Sequence, residues 1–403
     1  MKPWQIVSVM CAAHVFSMAG FATFPALLPT LLPLWELSNT QAGWISGIFF
    51  AGYVAAVPVL VTLTDRVDSR RIYLVGVAIS TAGLLGFAFT ANGFWSAMIW
   101  QAVQGAGIGG TYMTGLRVMT DRVPGTVPSR AIAFYTGAFS VGTALSFVLS
   151  GEIASLLGWQ ATFALAALGP LMAAAITLLS LASRPPDKEH RPDTHLLDFR
   201  PVLRNRQAMA FTLAYAGHSW ELFALRGWIV AFLVFAGAQQ AGAGLLNATL
   251  IAGAANLLAV PASIIGNEFA ERFGRRQTIL VVMILSGIAA VATGFSASVS
   301  LAAATFFIII YSGFVMGDSA SCTAGAAAAA KPGYRGATLA VHSILGFSGA
   351  LFGPLVAGLA LDLAGGQTSA LAWVFAFAAM GFGSLAGAVA LWRLGRVPVR
   401  ADS

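Results

Sequence analysis

Two short stretches decide how this chain is read: Asp65-Arg66-Val67-Asp68-Ser69-Arg70-Arg71 and Glu271-Arg272-Phe273-Gly274-Arg275-Arg276. Each follows directly on an apolar run, and Asp65 and Glu271 are 206 positions apart. Gly158-Trp159-Gln160 returns as Gly365-Gly366-Gln367 at a spacing of 207, and Gly151 returns as Gly358 at the same spacing. Independent features that share one offset predict two halves built alike.

Between these stretches the chain is almost uniformly apolar. Of 403 residues, 58% are hydrophobic and only 9% charged, against roughly a quarter charged in soluble domains. So little polar surface cannot keep a chain this long in water, so lipid is its expected solvent. A spanning helix needs about 20 mostly apolar residues. Twelve such runs are predicted, at 7–31, 40–63, 72–91, 95–117, 129–154 and 160–183, then 208–235, 243–265, 277–297, 300–327, 337–362 and 370–392. The fold class expected is therefore an all-α membrane protein of twelve transmembrane helices in two six-helix, pseudo-symmetric bundles. The first bundle takes residues 1–183, a polar linker 184–207 and the second bundle 208–403. The 44 glycines suit helices that must approach closely without a water-driven force. The first 30 residues lack the small-residue cleavage pattern of a signal peptide and read as a retained first helix.

Positive charge fixes the orientation expected. Lys2, Arg66, Arg70, Arg71, Arg122 and Arg130 fall on one side, with the linker, Arg272, Arg275, Arg276, Lys331, Arg335, Arg393, Arg396 and Arg400. The opposite loops carry no Lys or Arg. By the positive-inside rule, both termini and the linker face the cytoplasm, and a cell inner membrane is the expected location. Trp35, Trp44, Trp95, Trp159, Trp228 and Trp373 then gather near the outer interface, as an aromatic belt would. The net charge of +7 is spread in clusters between apolar runs, with no basic face for nucleic acid. Cys11 and Cys322 lie inside apolar runs, so neither a disulfide framework nor a metal site is expected, and no cofactor.

These residues resemble the major facilitator superfamily over essentially the whole chain. The family's signature after its second helix reads approximately G-x-L-x-D-R-x-G-R-R. Leu63, Asp65, Arg66, Arg70 and Arg71 match it, while Val61 stands in place of the first glycine and Asp68-Ser69 replaces the second glycine region. The second copy, Gly266 through Arg276, keeps Gly274, Arg275 and Arg276 but has Glu271 for the aspartate. The lead-in Gln41-Ala42-Gly43-Trp44 is also familiar from bacterial members. The resemblance implies alternating access around a midplane site between the halves. A carboxylate facing several arginines at a helix end can latch one of two conformations. Asp65, Arg66, Arg70, Arg71, Glu271, Arg272, Arg275 and Arg276 are the gate so expected. The family's fourth-helix arginine before Gln-Gly is missing, Gln101 preceding Val103-Gln104-Gly105. The exporter's Gly-Pro pattern is absent from the fifth helix, and Gly349 to Pro354 lies on the eleventh instead.

An ionisable residue inside a membrane helix is a functional hypothesis by default. The seventh run holds His218-Ser219-Trp220-Glu221-Leu222-Phe223-Ala224-Leu225-Arg226. His218 and Glu221 share a helical face near mid-membrane, where Glu221 is a candidate proton carrier and His218 its relay. Arg226, nearer the outer end, either attracts an anionic substrate or snorkels to the headgroups. His14 occupies the matching place in the first half. In proteins that this chain resembles, the first and seventh helices line the cavity. Asp318 and His342 are further intramembrane candidates and a possible pair. Gln101, Gln104, Asn247 and Asn256 are candidate hydrogen-bonding groups for substrate. Arg117 and Asp121 are spaced for an i, i+4 ion pair.

The function expected is a secondary active transporter, not an enzyme, moving a small organic anion by proton symport. Proton-driven efflux of drugs or hydrophobic metabolites is the alternative. No phosphate loop for ATP is present. The partners expected are the solute, protons and the lipid bilayer, with no nucleic acid, and the protein is expected to act as a monomer.

Overall fold

A computed structural model describes residues 2–123, 129–184, 199–238 and 244–395, and every regular element among them is an α-helix. The first predicted run forms two helices, α1 (Pro3–Ser17) and α2 (Thr23–Leu34). Then come α3 (Asn39–Leu63), α4 (Ser69–Thr90), α5 (Phe94–Arg122), α6 (Ser129–Ala166) and α7 (Leu168–Ser180). A single turn, α8 (Arg200–Leu203), precedes α9 (Arg206–Ala238), α10 (Leu245–Phe273) and α11 (Arg275–Ser296). The tenth run is again divided, into α12 (Leu301–Gly317) and α13 (Ser319–Ala328), before α14 (Arg335–Leu363) and α15 (Ala370–Leu394) close the fold. Most of the linker (185–198), the side chain of Arg130, and Arg396 and Arg400 lie outside the described residues.

Among the described residues, nine helical stretches are long and apolar enough to cross a membrane. One of them, Phe134–Ser180, covers two predicted runs that meet at Gly158, whose non-helical φ of 82° kinks the chain. Its repeat counterparts Gly365 and Gly366 take φ of 105° and 82°, a region open to glycine without steric cost. The repeat seen in the sequence is thus a repeated left-handed turn. The first run falls short of the length because it is broken, and α5 is diluted by Gln101, Gln104, Arg117 and its glycines.

The break at residues 18–22 leaves backbone groups that lipid cannot satisfy. Neighbouring helices supply the partners. Ser146 Oγ donates to Ala19 O at 2.7 Å and accepts from Ala22 N at 3.0 Å. Gln104 Nε2 donates to Gly20 O at 2.7 Å, and Ser150 Oγ donates to Thr23 Oγ1. Small residues then set how closely the helices pack. A Cβ on Gly52 would collide with Ala102 O, and one on Gly105 with Phe49 O, so α3 and α5 meet backbone to backbone.

Contacts between the halves run through α3 with α14, α6 with α10 and α2 with α9. On α3 the close approaches lie from Asn39 to Tyr53, remote from the arginines. Asn39 O meets Gly358, Gly43 faces Pro354 O, Gly47 faces Leu351 O, and the Tyr53 ring lies tilted against Phe347 at 4.2 Å. The expected tryptophan belt is only partly formed. Trp95 and Trp44 are exposed, but Trp228 and Trp373 are fully buried and donate to Pro354 O and Gln367 O. Their rings have replaced the lipid interface with the core of the second half, since an indole N–H can be satisfied by an internal carbonyl.

Candidate functional site

At the arginine-rich end, charges knit each half to itself. Arg117 bridges Asp121 at 2.7 Å, as its spacing predicts, and Asp65 at 3.4 Å. The buried pair is Asp68 with Arg122, at 3.0 Å. Asp68 caps α4 through Arg70 N–H and also accepts from Ser183 Oγ and Arg184 N–H, each at 2.8 Å. Burial alone would raise this carboxyl, but the donors outweigh it and hold it below the ordinary carboxylate range. Arg70 donates to Leu178 O. In the second half Glu271 accepts from Asn267, Arg275 donates to Asn267 Oδ1 and Ser321 O, and Arg276 donates to Trp392 O. All these bonds stay within one half. The importance of Asp68 and Arg122 was hidden in the sequence because both sit beside the better-known motif positions.

The opposite end is tied across the halves by a carboxylate that the sequence reading passed over. Asp362, at the end of α14, accepts through Oδ1 from Asn39 N–H at 3.1 Å and Asn39 Nδ2 at 2.7 Å. Through Oδ2 it accepts from Thr40 N–H at 2.7 Å and Thr40 Oγ1 at 2.6 Å. Gln367 Nε2 adds a bond to Asn39 Oδ1. The carboxylate thereby caps the N-terminus of α3 from the other half of the molecule, where exposed N–H groups and the helix dipole favour negative charge.

Between these ends lies a layer of aromatic and ionisable side chains. In the first half His14 is fully buried, with its ring stacked on Tyr135 at 4.6 Å and Tyr112 at 5.3 Å and tilted to Phe139 at 6.1 Å. In the second half Tyr215 stacks on His342 at 4.1 Å and on His218 at 5.4 Å. Tyr53 of the first half reaches across the seam to Phe347, 4.2 Å away. Above this layer Phe21, Phe50, Phe223 and Phe347 close the interface, with Phe50 and Phe223 4.4 Å apart.

The ionisable residues of α9 are distributed differently from what one helical face suggests. His218 Nδ1 lies 2.7 Å from Asp318 Oδ1, both side chains nearly inaccessible. The ring N–H is not aimed at the oxygen, so the contact is electrostatic rather than a directed hydrogen bond. Asp318 sits at the junction of α12 and α13 and faces His218, not His342; His342 Nε2 is 3.1 Å from Thr323 Oγ1 instead. Glu221 is turned into the second half, accepting from Ser286 Oγ at 2.9 Å and Tyr311 OH at 3.1 Å. Arg226 is 5% exposed and does not reach the headgroups. Its Nε donates to Asn256 Oδ1 at 2.8 Å, and its guanidinium lies 5.5 Å from the rings of Phe139 and Phe223. A void of about 10 Å³, room for one water, adjoins Arg226, Asn256 and Ser312. Gln104 is committed to the break in the first helix, Gln101 is buried one turn away, and Asn247 is exposed at the start of α10. Among the described residues no cluster of His, Cys, Asp and Glu suits a metal ion.

Comparison with known proteins agrees with this architecture. The family model described as Major Facilitator Superfamily matches residues 9–317. An uncharacterized MFS-type transporter, YcaD of Salmonella enteritidis, is 27% identical over 279 residues, covering 66% of this chain and 68% of its own. Human protein spinster homolog 1 is 23% identical over 241 residues, 57% of this chain but only 45% of the human protein's length. Among solved structures, a bacterial homolog of the human lysosomal transporter Spinster, inward-facing and occupied, superposes with a TM-score of 0.78 over 99% of this chain and 98% of its own. The nucleoside transporter NupG reaches 0.76 over 97% of this chain and all of its own. At 16% and 13% identity these two likenesses speak for the fold alone.

Proposed function

Because the chain belongs to the Major Facilitator Superfamily, we propose that it is a secondary active transporter that carries a small organic anion by alternating access, in symport with a proton. The observation that carries this reading is Arg226. A buried cation is costly unless an opposite charge meets it, and the partners of Arg226 are a neutral amide and two aromatic faces. Its contact with Phe139 of the other half puts it at the seam where a midplane substrate is held. A transported anion supplies the missing charge.

Proton coupling rests on Glu221, His218 and Asp318. Each is buried within the second half, and ionisable groups inside membrane helices mark proton and ion pathways. With the positive side at the cytoplasm of the inner membrane, the Asp362 clamp closes the outer face, and the inner latches lie within separate halves. The clamp at one end and the half-internal bonds at the other support an inward-facing reading, in which residues 1–183 and 208–403 rock as bodies about the linker. Asp65, Arg66, Arg70 and Arg71, with Glu271, Arg272, Arg275 and Arg276, serve as the inner gate when it closes.

The test is proton movement into proteoliposomes holding a pH dye, with organic anions added outside. Substrate-evoked acidification that is lost in both Glu221→Gln and Arg226→Gln supports the reading. Anion uptake without acidification removes proton symport. An outward flux driven by an inward proton gradient favours efflux instead.

A further inference from the structure

We infer that the solute is a planar, ring-bearing anion with a hydrogen-bonding edge, held with its charge on Arg226 and its ring along Phe139 toward Tyr112 and His14. The inference rests on the anionic reading above and gives that anion its shape. Phe139 fixes the arrangement, because its ring is shared. It lies 5.5 Å from the Arg226 guanidinium and 6.1 Å from the His14 ring. Tyr112 continues the same surface, 5.7 Å from Phe139 and stacked on His14. One small molecule can therefore meet the cation and the rings together.

The rings are unusually polar for a membrane midplane. An aliphatic solute would need an apolar wall, and Val, Leu or Ile would provide one without risk of unsatisfied groups. Here the wall is made of tyrosines and histidines, and three of their atoms have no partner: His14 Nε2, Tyr53 Oη and His342 Nδ1. Each belongs to a side chain that is at most 3% exposed. A buried polar atom left unpaired is destabilising, and water to satisfy it needs room that closely stacked rings deny. His14 stacks on Tyr112 in the first half and His342 on Tyr215 in the second, while Tyr53 meets Phe347 across the seam. A ligand whose ring edge bears hydrogen-bonding atoms pairs with them as the halves close on it, and its faces stack in place of ring-on-ring contacts. An aliphatic or bulky saturated anion satisfies Arg226 alone.

The experiment compares three carboxylates of equal charge and similar size on the purified full chain in detergent: nicotinate, benzoate and cyclohexanecarboxylate. Binding is read from thermal shift and from quenching of intrinsic fluorescence. Wild type is expected to bind the two planar anions at least about fivefold more tightly than the saturated one, the scale of aromatic pairing. Nicotinate is expected to exceed benzoate, and His14→Phe, which keeps a ring but loses the nitrogen, to remove that margin. Tyr112→Leu should erase the planar preference while Tyr112→Phe retains it. Equal binding of benzoate and cyclohexanecarboxylate by wild type overturns the inference and leaves the anionic reading standing. Failure of all three to bind overturns both. A planar preference untouched by Tyr112→Leu overturns the placement of the ring.

Discussion

Replacing Asp362 by alanine should open the end of the molecule remote from the arginines. In the structure this carboxylate receives two backbone N–H groups and two side-chain donors from Asn39 and Thr40, all from the other half. Four bonds do not add at full strength, because Asp362 is exposed and water replaces much of what alanine removes. The nearest physical analogue is loss of a helix N-cap, about 0.5–2 kcal/mol. Taking about 1–2 kcal/mol, the equilibrium between closed and open outer ends moves about 5- to 30-fold. If the open state holds about 1% of the wild-type population, it should hold about 5–25% in Asp362→Ala. Spin labels on cysteines placed at Glu36 and Thr368, both exposed and on opposite sides of this seam, would report the change as a second, longer distance. The variant should also lower steady-state uptake if return to the closed state is rate-limiting. An unchanged distance distribution would refute the reasoning, since the clamp would then contribute nothing that Gly43, Gly47 and Gly358 do not already supply by close contact.

Other consequences are more local. Asp68 has its carboxyl held low by Arg122, Ser183 and two N–H groups, so its contribution to stability is complete above the ordinary carboxylate range. It is lost as pH falls below that range. Thermal denaturation followed from neutral pH to below about pH 4 should show a steeper acid limb in wild type than in Asp68→Asn. Ser146→Ala strips a donor from Ala19 O and an acceptor from Ala22 N–H, so it should cost about 1–3 kcal/mol, read as a lower melting temperature, while Ser146→Thr should retain most of it. Gly358→Val should drive a methyl group into Asn39 O and enlarge the open-outward population in the same distance measurement, even with Asp362 intact.

The path from sequence to site is uneven, and particular residues show why. The twelve apolar runs all became helices, because lipid demands that every backbone group be satisfied within the segment, and twenty apolar residues leave no other solution. Arg117 with Asp121 was legible because both lie on one helix. The break in the first helix was not legible, for it depends on Ser146 and Gln104 arriving from α6 and α5. Glu221 and His218 read as neighbours, yet one faces Ser286 and Tyr311 and the other Asp318.

By itself, then, the sequence determined the spans, the repeat and the asymmetry of positive charge, since these are consequences of solvation along one chain. Only the tertiary structure decided that Arg226 lies in the seam rather than at the headgroups. The structure alone also showed that Trp228 belongs to the core, and that Asp362 reaches across to the start of α3. The physical reason is that lipid tails and a protein interior are almost equally apolar. A membrane helix can therefore turn any face toward its neighbours without leaving a mark in its hydrophobic pattern. Which polar side chains meet is settled by close packing between helices far apart in sequence.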